Sequence, residues 1–128
     1  MQTSEFNLAV TDVRTFVPSK DFALSLSFYL ELGWQQLYLD DHLALLEIAD
    51  QRFYLQNYYQ EDWAGNFMLH LSVADALAWK SKADALIAAE KYPGIRVSGP
   101  KEEPYGALVT YLVDPAGVLL HCAQWFDQ

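Results

Sequence analysis

Three side chains are considered first as candidates for nucleophilic or acid–base chemistry: Glu47, His121 and Cys122. His121 and Cys122 are neighbours in an apolar segment typical of a strand, so their side chains point to opposite faces and cannot act as a base–nucleophile pair. Glu47 lies in the run LALLEIAD. A buried carboxylate there would act as a base or meet a cation, whereas Glu more often stays solvated at a sheet edge. These residues alone do not indicate an enzyme.

A second group of side chains, aromatic and polar, suits the binding of a small molecule. Alternation along strands predicts that many of them share one face, and Trp63 and Tyr105 lie in loops where they would close the mouth of a pocket. Aromatic walls with few fixed polar groups are what planar ligands require. Any one of these aromatic rings could instead pack in the core or a dimer contact. The predicted ligand-binding residues are Arg14, Phe16, Tyr54, Gln56, Tyr58, Trp63, His70, Tyr105, His121 and Trp125.

An internal repeat must position these side chains. Residues 16–33 read as a strand, a helix capped by Asp21 and a glycine stop, and residues 70–86 repeat this plan with Asp75 in place of Asp21, 54 residues later. Aspartate at such a position accepts a hydrogen bond from the first turn of a helix. A repeated unit too small to bury its own apolar face indicates that two copies share a core.

Each copy is predicted to contain four strands and one helix. In the first, the strands span residues 8–17, 34–39, 43–48 and 52–58; in the second they span residues 68–73, 95–98, 107–113 and 118–124. Segment 59–66 is expected to be a loop because Gly65 and Asn66 favour irregular backbone, and segment 99–106 because it contains two glycines and two prolines. The chain is therefore expected to have an α+β fold. We expect a single domain of two βαβββ modules, residues 6–58 and 67–126, that form a curved mixed sheet around a cavity with helices outside.

Composition limits the partners of the chain. Its 128 residues carry a net charge of −9, which disfavours a nucleic-acid partner and leaves room for a cationic ligand, although acidity also simply favours solubility. A single cysteine cannot form an internal disulfide, and neither a membrane-spanning run nor a signal peptide is evident. We therefore expect a cytoplasmic protein with no membrane partner.

Two segments resemble a known family. PSKDFALSLSFYLELGW at residues 18–34 and DPAGVLLHCAQ at residues 114–124 are similar to signatures of the vicinal oxygen chelate superfamily. This superfamily contains glyoxalase, extradiol dioxygenases, fosfomycin resistance enzymes and bleomycin resistance proteins. The chain most resembles the bleomycin resistance subgroup, which lacks metal ligands and sequesters a cationic drug with an aromatic tail. A shared fold does not by itself identify the activity.

The resemblance implies four metal-ligand positions, and they fall on Arg14, Gln56, Met68 and His121. A guanidinium cannot become a ligand, the amide oxygen of Gln56 is a weak donor, and the thioether of Met68 is soft. No metal or other cofactor is therefore expected. A displaced site made of Gln56, His70 and His121 remains the alternative.

The sequence thus favours a metal-free binding protein that sequesters a cationic aromatic compound such as an antibiotic. The acidic pairs Glu61–Asp62 and Glu102–Glu103 precede the two loop aromatics and would attract a cation. The alternative is a metal-dependent lyase, isomerase or dioxygenase of the same superfamily. We also expect a homodimer, because a βαβββ unit leaves an apolar sheet face and open edges.

Overall fold

The computed structural model describes residues 6–126, which form two four-stranded sheets and three helices. None of the helices in this part of the chain has the length and apolar character needed to cross a membrane. In chain order the elements are β1 (Phe16–Pro18), α1 (Phe22–Glu31), β2 (Gln35–Leu39), β3 (Leu43–Ile48), β4 (Gln51–Gln56), α2 (Glu61–Ala64), β5 (Met68–Ser72), α3 (Ala76–Ala88), β6 (Arg96–Glu103), β7 (Ala107–Val113) and β8 (Leu119–Trp125).

The two sheets have the same topology. Their strand orders are β1-β4-β3-β2 and β5-β8-β7-β6, and in each the first strand pairs in parallel with the last while the other pairs are antiparallel. The α+β class and the repeated βαβββ module are therefore confirmed. Each module forms its own sheet, so the curved sheet of the prediction is divided in two. β1 has only three residues, and such a short edge offers few free backbone groups for joining the second sheet.

The repeated aspartates cap the two long helices as predicted. Asp21 Oδ1 accepts a hydrogen bond from the backbone N–H of Leu24 at 3.1 Å. Asp75 Oδ1 accepts from the N–H groups of Leu77 at 3.1 Å and Ala78 at 3.2 Å. These bonds satisfy donors that have no partner within the helix, so the same residue fixes the start of the helix in both modules.

The two modules share one apolar core, and side chains of α1 contact the second module. The ring of Phe28 packs edge-on against Tyr92 with centroids 5.5 Å apart. The hydroxyl of Tyr29 donates to Asp114 Oδ2 at 2.6 Å, and Asp114 Oδ1 also accepts from the N–H groups of Ala116 and Val118. Desolvation raises the pKa of Asp114, although these donors oppose that shift. The DPAG turn thus anchors the first helix.

The predicted first strand is largely wrong. It was expected to span residues 8–17, but the strand begins at Phe16, and residues 6–15 form a largely exposed arm outside both sheets. The side chains of Leu8, Val10 and Val13 are 84%, 75% and 82% exposed. Their apolar character suggested a strand, but the described part of the chain provides no neighbouring strand for them to pair with.

Two predicted loops also contain regular structure. Segment 59–66 includes the one-turn helix α2, and most of segment 99–106 belongs to β6, which was predicted to end at Ser98. Pro100 is tolerated because β6 is an edge strand and its pairing with β7 is interrupted between Ser98 and Lys101. The remaining strand boundaries differ from the predicted ones by two residues or fewer.

Candidate functional site

The open face of the second sheet carries a group of aromatic and imidazole side chains over a floor of small residues. The floor is a buried cluster of Ala107, Val109 and Ala123. Because alternate residues of a strand point to the same face, the neighbours of this floor in β5, β7 and β8 project above it. We define the second-sheet face as Met68, His70, Tyr105, Tyr111, His121 and Trp125.

Four rings of this face lie close together. His70 is paired with His121 across β5 and β8, and their rings stack with centroids 6.0 Å apart. His70 also lies 5.6 Å from Trp125 and 6.1 Å from Tyr105, and Tyr105 is 5.6 Å from Trp125. Tyr105 comes from the turn between β6 and β7 and is half exposed. The structure therefore brings together four of the predicted residues, His70, Tyr105, His121 and Trp125.

Hydrogen bonds hold several of these side chains in place. Trp125 Nε1 donates to Ser72 Oγ at 2.9 Å, and the hydroxyl of Tyr111 donates to the carboxylate of Glu103. The Nε2 atom of His121 lies 3.1 Å from the sulfur of Met68. Partial burial lowers the pKa of His121, and the neighbouring His70 lowers it further, so the neutral imidazole is favoured.

Charged residues of β6 border this face. Glu103 lies opposite Ala107 and Lys101 lies opposite Val109, so both are in register with the floor. Glu102 lies opposite Leu108 and alternates to the other side. Of the acidic pair that was predicted to flank Tyr105, only Glu103 therefore borders the second-sheet face. The positively charged Lys101 borders the same face.

The open face of the first sheet holds another group of predicted residues. The ring of Phe16 stacks on Tyr54 with centroids 5.0 Å apart, and the guanidinium of Arg14 lies 5.6 Å from the centre of the Tyr54 ring. Arg14 donates to the hydroxyl of Tyr54 at 2.9 Å. Gln56 is partly buried in the same strand. We define the first-sheet face as Arg14, Phe16, Tyr54 and Gln56.

An ion-pair network adjoins the first-sheet face. Asp12 accepts from Arg14 at 2.7 Å, which lowers the pKa of Asp12, and Arg52 lies 3.8 Å from the same carboxylate. Arg52 also pairs with Glu47 at 2.6 Å. Glu47 is thus a partly solvated residue of the interior strand β3 that is engaged in an ion pair, and neither carboxylate faces this surface without a partner.

The remaining two predicted residues form a third group. The ring of Trp63 in α2 lies 6.0 Å from Tyr58 and 5.8 Å from Phe67. Tyr105, the other aromatic residue expected at the mouth, instead has its ring contacts with His70 and Trp125. Trp63 and Tyr105 therefore belong to separate aromatic groups within one chain.

The donor set at the four implied metal positions does not fit a transition-metal site. Arg14 is engaged by Asp12 and Tyr54, and a guanidinium supplies no lone pair. Gln56 belongs to the first sheet, whereas Met68 and His121 belong to the second. Among residues 6–126 no three His, Cys, Asp or Glu side chains are grouped as a metal site requires.

The structure reveals one candidate binding residue that was not predicted from the sequence, Tyr111, and confirms that Cys122 and His121 do not form a pair. Tyr111 lies opposite His121 in the β7–β8 pairing, with the two rings 5.1 Å apart. Tyr111 alternates along β7 with Thr110 and Leu112, which are buried, and this alternation could have placed Tyr111 on the open face. Cys122 is buried in the core on the side away from His121, and desolvation raises the pKa of its thiol to about 12, so it is inert at neutral pH.

Comparisons with known proteins relate the chain to solved structures only; no protein-family model and no curated protein sequence matches it. A bleomycin resistance determinant encoded on the transposon Tn5 is 22% identical, with 91% of this chain and 99% of that chain covered and a TM-score of 0.72. A bleomycin-binding protein complexed with bleomycin is 24% identical, with coverages of 90% and 98% and a TM-score of 0.72.

An enzyme of the same architecture also matches. Lactoylglutathione lyase from Agrobacterium tumefaciens is 18% identical, with 92% of this chain and 94% of that chain covered and a TM-score of 0.66. At such identities the likeness establishes the fold and not the activity. The chain has the fold of the bleomycin resistance proteins and lactoylglutathione lyase, which is that of the vicinal oxygen chelate superfamily.

Proposed function

We propose that this chain is a metal-free binding protein for a planar cationic small molecule, such as an antibiotic, and that the ligand lies on the second-sheet face. The observation that carries the proposal is the close group of rings made by His70, Tyr105, His121 and Trp125 over a floor of small side chains. Such a surface can stack on a flat ligand while the small floor residues leave it room.

The charge of the protein supports a cationic ligand. The net charge of −9 raises the local concentration of cations, and an aromatic face attracts a cation through its quadrupole. The lowered pKa of His121 favours its uncharged imidazole, which does not repel a cation. The nearest source of attraction is then the carboxylate of Glu103 on the bordering strand β6, and Lys101 opposes it.

The proposal includes a homodimer. The arm of residues 6–15 exposes Leu8, Val10 and Val13 to solvent, and both sheets keep an open face. Apolar side chains on an extended segment are costly to leave in water, and a two-fold partner would cover them on both chains at once. The first-sheet face of a partner would then supply a second wall for the ligand.

The test is calorimetric titration of the protein with proflavine, a planar cation at neutral pH. Trp125→Ala removes a ring from the second-sheet face and should weaken binding by tenfold or more, since stacking contributes through area and ring geometry. Trp63→Ala also removes an indole, but from the third group, outside the second-sheet face, and should weaken binding less. Equal losses in both variants, or no binding by the parent protein, would contradict the proposal.

A further inference from the structure

A hollow of about 350 Å³ adjoins the second-sheet face at the end of the sheet away from Tyr105. Tyr111 lines the hollow and also belongs to the second-sheet face, so the two surfaces are continuous. Three strands supply the lining: Arg96, Val97 and Ser98 of β6, Tyr111 and Val113 of β7, and Leu119 of β8.

The strand register places the polar lining residues on the open face of the sheet. Arg96 lies opposite Val113, and Ser98 lies opposite Tyr111. Residues directly opposite each other in an antiparallel pair project from the same face. Arg96 and Ser98 therefore project beside Tyr111, and they bring a guanidinium and a hydroxyl, both of which donate hydrogen bonds.

The charge of Arg96 is not matched by a carboxylate in the described part of the chain. Arg14 pairs with Asp12 at 2.7 Å, and Arg52 pairs with Glu47 at 2.6 Å. Arg96 has no ion pair among residues 6–126. A guanidinium fits a carboxylate through two parallel hydrogen bonds, so Arg96 is available to a carboxylate from outside the chain.

Charges of opposite sign lie at the two ends of β6. Glu103 is in register with Ala107 at one end of the sheet, and Arg96 is in register with Val113 at the other. A ligand with a positive ring system near Glu103 and a negative group near Arg96 would lie beside an opposite charge at both ends. One guanidinium balances one carboxylate, whereas a phosphate carries nearly two charges and would stay partly unbalanced in this acidic protein.

We propose that the hollow at Arg96 is a subsite for a carboxylate that the ligand carries on a flexible apolar arm. This inference rests on the proposed function, because the cationic ring system of the same ligand lies on the second-sheet face. The carboxylate accepts hydrogen bonds from Arg96 and Ser98, and the arm packs against Val113 and Leu119. From Val109 to Val113 the strand rises by about 14 Å, so the arm must be several methylene groups long.

The experiment compares two probes with the same cationic ring system, 10-(5-carboxypentyl)acridine orange and its primary amide. In calorimetric titrations the parent protein should bind the carboxylate about fivefold more tightly, although the net charge of −9 opposes the added negative charge. The short-armed 10-(carboxymethyl) compound should show no such gain over its own amide. In protein labelled with ¹⁵N at arginine, the long-armed carboxylate should shift one of the three Nε–H signals.

Two charge-matched variants locate the effect. Arg96→Gln removes the exposed guanidinium and should abolish the preference for the carboxylate while leaving the affinity for the amide unchanged. Lys82→Gln removes the same charge from α3 and should keep the preference. This helix packs on the opposite face of the sheet, where Thr110 Oγ1 donates to the carbonyl of Ala76 at 2.7 Å.

Equal affinities of the parent protein for the two long-armed probes would overturn the carboxylate subsite and leave the proposed function standing. A preference that survives Arg96→Gln but is lost in Lys101→Gln would also overturn the subsite, because Lys101 would then be the partner of the carboxylate. If the parent protein bound neither probe, the subsite and the proposed function would both fail.

Discussion

At the scale of single residues, the surface of the second sheet is chemically mixed. Imidazole and aromatic rings form its centre, whereas one carboxylate and one ammonium group lie on the bordering strand β6. Each charge acts on a ligand through partly solvated surroundings, where single interactions are modest and depend on salt. The preference for a cation is therefore adjustable by changing one charge at a time.

Neutralising the two border charges should move affinity for proflavine in opposite directions. Glu103→Gln removes the attraction and should weaken binding about two- to fivefold, whereas Lys101→Gln removes the repulsion and should strengthen it by a similar factor. Gln can still accept the hydrogen bond from Tyr111, so the first change alters charge more than structure. Calorimetric titrations at low and moderate salt provide the measurement. Changes of the same sign in both variants would contradict this account.

Affinity for proflavine should also fall in acid. His121 has a lowered pKa because it is partly desolvated and lies beside His70, so its charge appears only below the usual histidine range. As the pH falls from about 7.5 to 5, an imidazolium forms at His121 and repels the cation, with an expected loss of about fivefold. The other charged or titratable groups facing His121 are His70 of β5, Glu103 of β6 and Tyr111 of β7, together with Lys101 at the border.

The control for the pH effect is another histidine. His121→Gln should flatten much of the decline, whereas His42→Gln, at an exposed turn between β2 and β3, should leave it unchanged. If the pH dependence of proflavine affinity is unchanged in His121→Gln, titration of His121 does not cause it.

At the scale of elements, the contact of α1 with the second module rests on one buried polar link. Tyr29 is fully buried and donates to Asp114, which turns the chain between β7 and β8. Burial raises the pKa of Tyr29 and the carboxylate of Asp114 raises it further, so the phenol remains a donor over the accessible pH range. Tyr92 provides a second contact, since its hydroxyl lies 2.8 Å from Ser27 Oγ in a less buried position.

Removing the hydroxyl of Tyr29 should therefore cost more stability than removing that of Tyr92. Tyr29→Phe leaves a buried carboxylate short of a donor and should lower the free energy of unfolding by about 1–3 kcal/mol. Tyr92→Phe should lower it by about 0.5–1.5 kcal/mol, because Ser27 is on the exposed side of the helix. Urea unfolding measures both. A larger loss in the Tyr92 variant would show that the link between Tyr29 and Asp114 is not the principal contact.

The limits of the helices and strands were partly predictable from the sequence. Asp21 and Asp75 located both long helices, and strands β3 and β7 were predicted with their observed limits, because capping and apolar periodicity are local signals. The arm before Phe16 and the extension of β6 through Pro100 were not predicted. Strand formation there depends on whether a neighbouring strand is available, and that is a property of the tertiary structure.

The candidate site was predictable to a similar extent. Alternation placed His70, His121 and Trp125 on one face, but the number of separate aromatic groups followed from the packing of the modules. Trp63 and Tyr105 were expected at one mouth because both follow acidic pairs in segments taken as loops. α2 directs the first towards Tyr58, and the β6–β7 turn directs the second towards His70.

At the scale of the whole molecule, assembly determines whether the open faces become a closed site. We expect light scattering to give about twice the chain mass of 14.6 kDa at micromolar concentration. Changing Leu8 and Val10 together to Ser should shift the protein towards the monomer, because these side chains are among the most exposed apolar groups of the described chain. A parent protein that remains monomeric would leave the second-sheet face as a single open wall and rule out a site between two copies.

The most direct test of the central claim is discrimination by charge. Proflavine and acridine share one planar ring system, but at pH 7.5 the first is a cation and the second is neutral. We expect the parent protein to bind proflavine at least tenfold more tightly, with a ratio that shrinks as salt rises, because aromatic attraction and the net charge of −9 act on the cation alone. Equal affinity for the two compounds at every salt concentration would contradict the assignment of this surface to cationic ligands.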